Sequence, residues 1–322
     1  MKTKAITEGA MLCALAVIIA LFSSYVPFLL LLFFLIPVPM VILAEKQGFK
    51  VTLIAGLAAT LILFMFMDPL TAGGYGIYMI FVGCSLGYMY YKRKDGFLKL
   101  AVAYAGIFAA IILIIILLQV LTGQNFVAML TETIDTSSAQ VMDVYRSLGA
   151  FPEDQLSLLQ TAVDQMKETM KMVIPLAFLI SPFFIGWANV LISDTILKRM
   201  RLPVKPLPQL SKWRLPRSFK NFLIMVVIVL LVIDLAHIDA IPAVYTYTLM
   251  MIIYLLYFLM GISFVYWLIN RKRAKESMGL KILIVVLCLF IPYISYIISF
   301  VGVAHIYIDV RKFIENRDGT NI

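Results

Sequence analysis

The sequence predicts an all-α polytopic membrane protein, with a six-helix N-terminal unit followed by about three more transmembrane helices. Three observations carry this reading. The chain of 322 residues is 62% hydrophobic and only 14% charged, whereas soluble domains hold roughly 25% charged residues. The apolar residues gather into runs about as long as a bilayer is thick. The cations gather in alternate loops between those runs. So apolar a chain cannot cover itself with polar surface in water, and its solvent is lipid. Helices must make the crossings, because lipid satisfies no open backbone group and no alternating barrel pattern is present.

A crossing helix needs roughly 20 apolar residues, with about 17–25 usual. Nine runs qualify: 6–25, 28–44, 50–67, 73–91, 98–121, 172–196, 221–237, 243–269 and 281–308. The second is short and carries Pro37 and Pro39. The last is long, with Pro292 in its middle; it reads as one kinked span or, if Pro292 splits it, as a hairpin that returns the tail to the inside. Lys2 and Lys4 precede the first run, which leads into the second with no small-x-small cleavage site, so no cleavable signal peptide is expected. The domain reading is a six-span unit over 1–197, a linker over 198–220, and C-terminal membrane helices with a tail over 221–322.

The linker reads KRMRLPVKPLPQLSKWRLPRSFK. Its eight Lys or Arg meet no acid, and its four prolines block a continuous helix and favour extended backbone. The cations are expected to hold it in the cytoplasm and to attract anionic lipid heads, at about 1 kcal/mol each. Trp213 is expected at headgroup level. The net charge of +9 is thereby explained by topology, and nucleic acid is not expected as a partner.

Alternate loops differ sharply. One set holds Lys2, Lys4, Lys46, Lys50, Lys92, Arg93, Lys94, Lys99, the linker cations and the Arg271–Lys281 group. The other set, apart from the tail, holds only Arg146, Lys167 and Lys171. This bias places the N-terminus in the cytoplasm of a multi-pass cell-membrane protein. The 122–171 segment then lies outside. Leu156, Leu159, Val163, Met166 and Met170 form one helical stripe, and Val141, Val144, Tyr145 and Leu148 form a second, ended by Gly149. The expectation is an external helical hairpin, serving as a cap or as a lid.

The spans are almost free of ionisable residues. Glu8, Asp194, Asp234, His237, Asp239 and the pair His305 and Asp309 all fall near predicted ends, where interfacial roles are expected. Two histidines support no metal cluster. No nucleotide, zinc-protease or nucleophile motif is present, so neither catalysis nor a cofactor is expected. Cys13, Cys84 and Cys288 read as small buried residues.

Small residues are patterned instead. Thr52, Gly56 and Thr60 form a ladder, and Gly83 with Gly87 forms a GxxxG step; both suit close helix packing. Gly9, Ala10, Cys13 and Ala14 make a small face near the start of the first span, a candidate docking surface for a partner.

Several stretches resemble known families. "AITEGAMLCALAVIIA", "GFKVTLIAGLAATLILF" and "GGYGIYMIFVGCSLGYMYY" are similar to helices of the S components of energy-coupling-factor vitamin transporters. Those proteins have six helices, both termini inside, and an AxxxA face that docks on a transmembrane coupling subunit. Here Ala10 and Ala14 occupy that pattern. With "PLAFLISPFFIGWANVLISDTILKRM", "LPQLSKWRLPR" and "FIPYISYIISFVGVAHIYIDVRKF" added, nearly the whole chain resembles the YybS-like membrane proteins of Gram-positive bacteria, a family without an assigned activity. A bacterial plasma membrane is implied. The extra spans after residue 200 depart from a minimal S component.

Two functions are therefore expected as alternatives. One is a substrate-binding subunit for a small, largely apolar or neutral ligand, contacted by Asp68, Thr71, Tyr75 and Tyr78, with Ser181 and Asn189 as polar groups on the sixth span. The other is a non-transporting scaffold or regulator that binds other membrane proteins.

Overall fold

The computed structural model describes residues 3–147, 152–235, 242–272 and 278–308, with 310, 311 and 314. No strand occurs among them. Two compact units divide after Leu207, inside the basic stretch.

The first unit starts with α1 (Thr3–Tyr25), a 3₁₀ segment (Pro27–Leu35) and α2 (Val38–Gln47). The expected 28–44 span is present, but it changes from 3₁₀ to α geometry at Pro37. Pro37 lacks an N–H and can only begin a helix, so the regular ladder starts after it. Gly48, at φ 81°, makes the sharp turn into α3 (Phe49–Leu63); any other residue would be strained there. α3 has 15 residues, about 22 Å at 1.5 Å per residue, short of the roughly 30 Å hydrocarbon core. The expected 50–67 span ends early because the chain turns at Phe64–Phe66. The Tyr25 hydroxyl donates to the Phe66 carbonyl and ties that turn to the end of α1.

α4 (Pro69–Tyr91) begins at Asp68, whose carboxylate accepts from the Thr71 N–H at 2.9 Å. Pro69 suits the first helical position. α5 (Gly96–Thr122) is capped in the same way by Asp95, at 2.9 Å from the Leu98 N–H. It stops at left-handed Gly123, which donates to Gln119. The GxxxG step of α4 packs as expected. A Cβ on Gly87 would stand 3.1 Å from the Val41 backbone of α2, and one on Gly83 would stand 3.2 Å from the Pro37 carbonyl. The ladder of α3 faces the same helix: Gly56 abuts Ile80, and Thr60 abuts Gly76.

α6 (Phe126–Ser147) and the first part of α7 (Glu153–Arg199) form the helical hairpin. The Lys167 and Lys171 ammonium groups reach Asp135 at 3.4 and 3.2 Å. These bonds hold the Asp135 carboxyl below, and Lys171 above, their ordinary ranges. The second arm of the hairpin and the sixth span are one continuous helix of 47 residues, about 70 Å long. One expectation fails here: the second stripe faces the wrong way. Val141 and Val144 are exposed, and Met142 is the buried residue. In the first stripe Leu156, Leu159 and Val163 are half-buried, but Met166 and Met170 are exposed. The polar pairs around Asp135 therefore set the seam that the apolar spacing was expected to set. Leu148 and Gly149 lie outside the described residues.

The second unit holds a short 3₁₀ turn (Leu210–Lys212), α8 (Arg217–Leu235), α9 (Ala243–Lys272), α10 (Met278–Phe290) and α11 (Pro292–Ile308). α10 and α11 meet at 110° around Ile291 and Pro292. That far exceeds an ordinary proline kink, so the 281–308 segment is a broken span or a re-entrant pair of helices rather than one smoothly kinked helix. Cβ atoms on Gly261 and Gly302 would collide with the facing helix backbone, so α9 and α11 touch through bare backbone. The Arg311 guanidinium is buried, donating to the Ser211 carbonyl at 2.9 Å and the Ser263 hydroxyl at 2.8 Å. Trp213 is buried, and its indole donates to the Pro208 carbonyl. His305 is buried against Phe264. His237, Asp239, Asp309 and the Asp234 side chain lie outside the described residues.

Six described helical stretches are long and apolar enough to cross a membrane: Ile6–Tyr25, Pro27–Gln47, Pro69–Tyr91, Gly96–Thr122, Asp154–Arg199 and Val244–Arg271. The bent pair α10 and α11 is a seventh candidate, while α3 and α8 are shorter. Among the described residues there are thus six candidate spans, or seven with the bent pair.

Candidate ligand-binding site

A cavity of about 310 Å³ opens among the 3₁₀ segment, α4, α5 and α7. Sequence dictates its walls. α5 contributes Ile107, Ile111 and Ile114, spaced by four and three, which places them on one face. α4 contributes Thr71, Tyr75 and Tyr78 by the same spacing. Gly74 sits between them, where side-chain space is open to Ile114 at 4.0 Å. The 3₁₀ segment supplies Phe33, whose ring stacks on Tyr78 with centroids 4.5 Å apart and planes 3° apart. No charged side chain lines the cavity.

Asn189 lies one helical turn beyond Ile185, which is itself a wall residue. It is fully buried. Its Nδ2 donates to the Tyr78 hydroxyl at 2.8 Å and to the Ile185 carbonyl at 2.9 Å. Its Oδ1 has no hydrogen-bond partner. A buried amide oxygen left open this way costs about 1–3 kcal/mol.

A second polar cluster stands one to two turns further along α7. Lys99 Nζ lies 2.6 Å from Asp194 Oδ1, with the Lys99 side chain fully buried and that of Asp194 7% exposed. The Tyr90 hydroxyl donates to the same oxygen at 2.7 Å, and its ring lies 4.0 Å below the ammonium. The other oxygen, Oδ2, accepts from the Leu207 backbone N–H at 2.8 Å. The interfacial role expected for Asp194 is overturned, because its charge is enclosed by protein. Lys99, read from sequence as a loop cation, is its partner. Glu8 does sit at a half-exposed end, paired with Lys46 and Gln47.

The profile of the family described as "Predicted membrane protein (DUF2232)" matches residues 14–305. The chain belongs to this family. It is 22% identical over 328 residues to the Uncharacterized protein YybS of Bacillus subtilis (strain 168), an alignment covering 97% of this chain and 98% of that protein. No solved structure matches the chain. Membership supports an integral membrane protein in a lipid bilayer, as the apolar helices do. It carries no activity across.

Of the residues expected at a ligand, Thr71, Tyr75 and Tyr78 come together as one wall of the cavity, and Asn189 stands behind Tyr78. Asp68 caps α4 at its edge, and its carboxyl is held below the ordinary range by the Thr71 bonds. Ser181 is half-buried on α7 but does not line the cavity. Phe33 and the α5 isoleucines were not singled out. Phe33 sits in a uniformly apolar run, PFLLLLFFL, whose 3₁₀ twist no periodicity announces.

On the first helix, Gly9 and Cys13 face inward while Ala10 and Ala14 are exposed. With Ile54 and Ala58 of α3 they line a shallow groove of about 380 Å³.

Proposed function

We propose that the protein is a substrate-binding membrane subunit of the S-component kind, holding a small, neutral, largely apolar ligand. The observation that supports this most directly is the cavity itself: a half-open space without charges, walled by two tyrosines, a phenylalanine and isoleucines, with a tethered amide behind it. Ligand cavities run roughly 300–1,000 Å³ and combine apolar walls with a few placed polar groups. The cavity lies towards the end of the unit where α4 starts and the α6–α7 hairpin projects. With the N-terminus in the cytoplasm, as the loop charges favour, that end faces outward and the hairpin stands beside the entrance. In this reading no chemistry is performed and no cofactor is needed; the subunit binds and hands over.

The test is native mass spectrometry of the full chain extracted from its own membranes without added ligand. The reading predicts a small molecule bound one to one, lost when Gly74→Trp fills the cavity. A clean apo spectrum from gently solubilised protein contradicts it.

A second reading is favoured by the α1–α3 groove. There the protein is a scaffold or regulator, or docks on a coupling subunit, through Gly9, Ala10, Cys13 and Ala14. Ala10→Trp with Ala14→Trp is expected to abolish association with any co-purifying membrane protein while leaving the small-molecule signal intact. Survival of every association removes this reading.

A further inference from the structure

The far end of the first unit, where α4 finishes, carries charges that the cavity does not use. Three candidate spans meet there: α4 reaches Tyr91, α5 starts at Gly96 and α7 reaches Arg199. The turn from α4 into α5 carries exposed Lys92, Arg93 and Lys94. The end of α7 and the chain after it carry exposed Lys198, Arg201 and Lys205. Packing brings the two groups together. A Cβ on Gly96 would stand 2.5 Å from the Leu207 Cα, and the Leu207 N–H donates to Asp194 at 2.8 Å. Lys94 and Lys205 each lie two residues from that contact.

The backbone sets this patch apart from an ordinary solvated loop. Arg93 and Arg201 both lie in the left-handed region, at φ 52° and 59°, just past the ends of α4 and α7. Glycine takes that position without strain, and arginine does not. The helix dipoles do not demand them, because Lys92 at the end of α4 and Lys198 in the last turn of α7 already supply a cation. The nearby acids are engaged elsewhere. Asp95 caps α5, and Asp194 is held by Lys99, Tyr90 and Leu207. Among the described residues none of the six cations is in an ion pair; Arg93 acts on Glu45 only at longer range. An aromatic border adjoins the charges. Tyr91 and Phe97 are half-exposed at the span ends. The Lys92 ammonium lies 5.6 and 5.8 Å from the Tyr88 and Tyr91 ring centroids. Such rings at the end of a span mark headgroup level, so the cations stand where lipid phosphates lie.

We propose that this face docks the headgroup of an anionic phospholipid. Its phosphate sits between the α4–α5 turn and the Arg201–Lys205 stretch, and its acyl chains run along the apolar surface beside Tyr91 and Phe97. Only the first part of the basic linker takes part, because Lys212 and Arg214 belong to the second unit. The Leu207 anchor on Gly96 and Asp194 holds the two cation groups in place before lipid arrives, which lowers the ordering cost of binding.

The test is native mass spectrometry of the full chain, stripped of lipid in detergent and titrated with dioleoyl phosphatidylglycerol or dioleoyl phosphatidylcholine. The anionic lipid is expected to bind at least about tenfold tighter, a gap of about 1.4 kcal/mol. Arg93→Gly with Arg201→Gly removes two cations and relaxes the backbone at both, so the fold is retained. It is expected to bring the two lipids within about threefold of each other. Lys46→Gln with Lys50→Gln removes two cations from the α2–α3 turn at the same end, and is expected to leave the preference intact. Equal binding of both lipids by the unaltered chain overturns the proposal, as does a preference that survives the glycine pair. Equal losses in the two double variants overturn a built site in favour of a diffuse positive surface. Displacement of the anionic lipid by an equal concentration of glycerol phosphate overturns lipid as the occupant.

Discussion

Removing the Lys99 ammonium tests what the enclosed Lys99–Asp194 ion pair contributes. In Lys99→Met the Asp194 carboxylate stays where it is, 7% exposed. It keeps only two neutral donors, the Tyr90 O–H and the Leu207 N–H. Breaking a buried pair from one side costs about 3–5 kcal/mol, against roughly 0–1 kcal/mol for a surface pair. Asp194→Asn strands the ammonium instead and falls in the same range. The double variant removes both charges but keeps an amide to serve Tyr90 and Leu207. It is expected to lose less than either single change, since well-packed neutral replacements of buried pairs are often close to neutral. The assay is reversible unfolding in mixed micelles, followed by near-ultraviolet circular dichroism and arranged as a double-mutant cycle. Single losses below about 1 kcal/mol, or additive losses in the double, would refute the enclosed pair.

Two further outcomes follow. Gly87→Val should cost about 1–3 kcal/mol in the same assay, because the added carbons meet the Val41 backbone of α2, which cannot rotate aside; Gly74→Ala, with its nearest neighbour at 4.0 Å, should be tolerated. The Asp135 bridge should be pH-dependent in one direction. Its carboxyl is held below the ordinary value of 3.8, first by the Lys171 hydrogen bond, so its contribution is complete above that value and is lost as pH falls through the lower, folded one. Spin-label distances between Val144 and Leu158 should stay sharp down to pH about 4 and broaden below it, and Asp135→Asn should broaden them at neutral pH.

Much of this was legible in the sequence because bilayer chemistry is blunt. Apolar runs located α1, α4, α5 and α9 to within a few residues, and the GxxxG step named a close contact of α4. Asp68 and Asp95 are readable as helix starts, since a short acid before a helix is a cap. The failures share a cause. Hydropathy does not distinguish a straight span from a broken one. The 3₁₀ segment and α2 form one apolar run and one candidate span that changes geometry at Pro37, whereas α10 and α11, equally one run, bend sharply at Pro292. α3 stops at Leu63 while the apolar run continues, because the run supplies a turn. Asp194 and Lys99 were misjudged for another reason. Each sits near a predicted end, and only the packing of α4, α5 and the stretch ending at Leu207 around them shows that the end is covered. A cation and an acid predicted at the same end of adjacent helices was the available signal. The cavity was half legible: Thr71, Tyr75 and Tyr78 share a helical face, whereas the role of Asn189 depends on a hydroxyl 111 positions away in the chain.

The account turns on the space between Phe33, Tyr75, Ile111 and Ile185 being a ligand's place. A high-resolution structure of the full chain, extracted from its own membranes into nanodiscs with nothing added, tests this most directly. The account predicts compact non-protein density in that space, in contact with the Tyr78 hydroxyl. Side chains collapsed into it, or an acyl chain running in unbroken from the surrounding lipid, would contradict it.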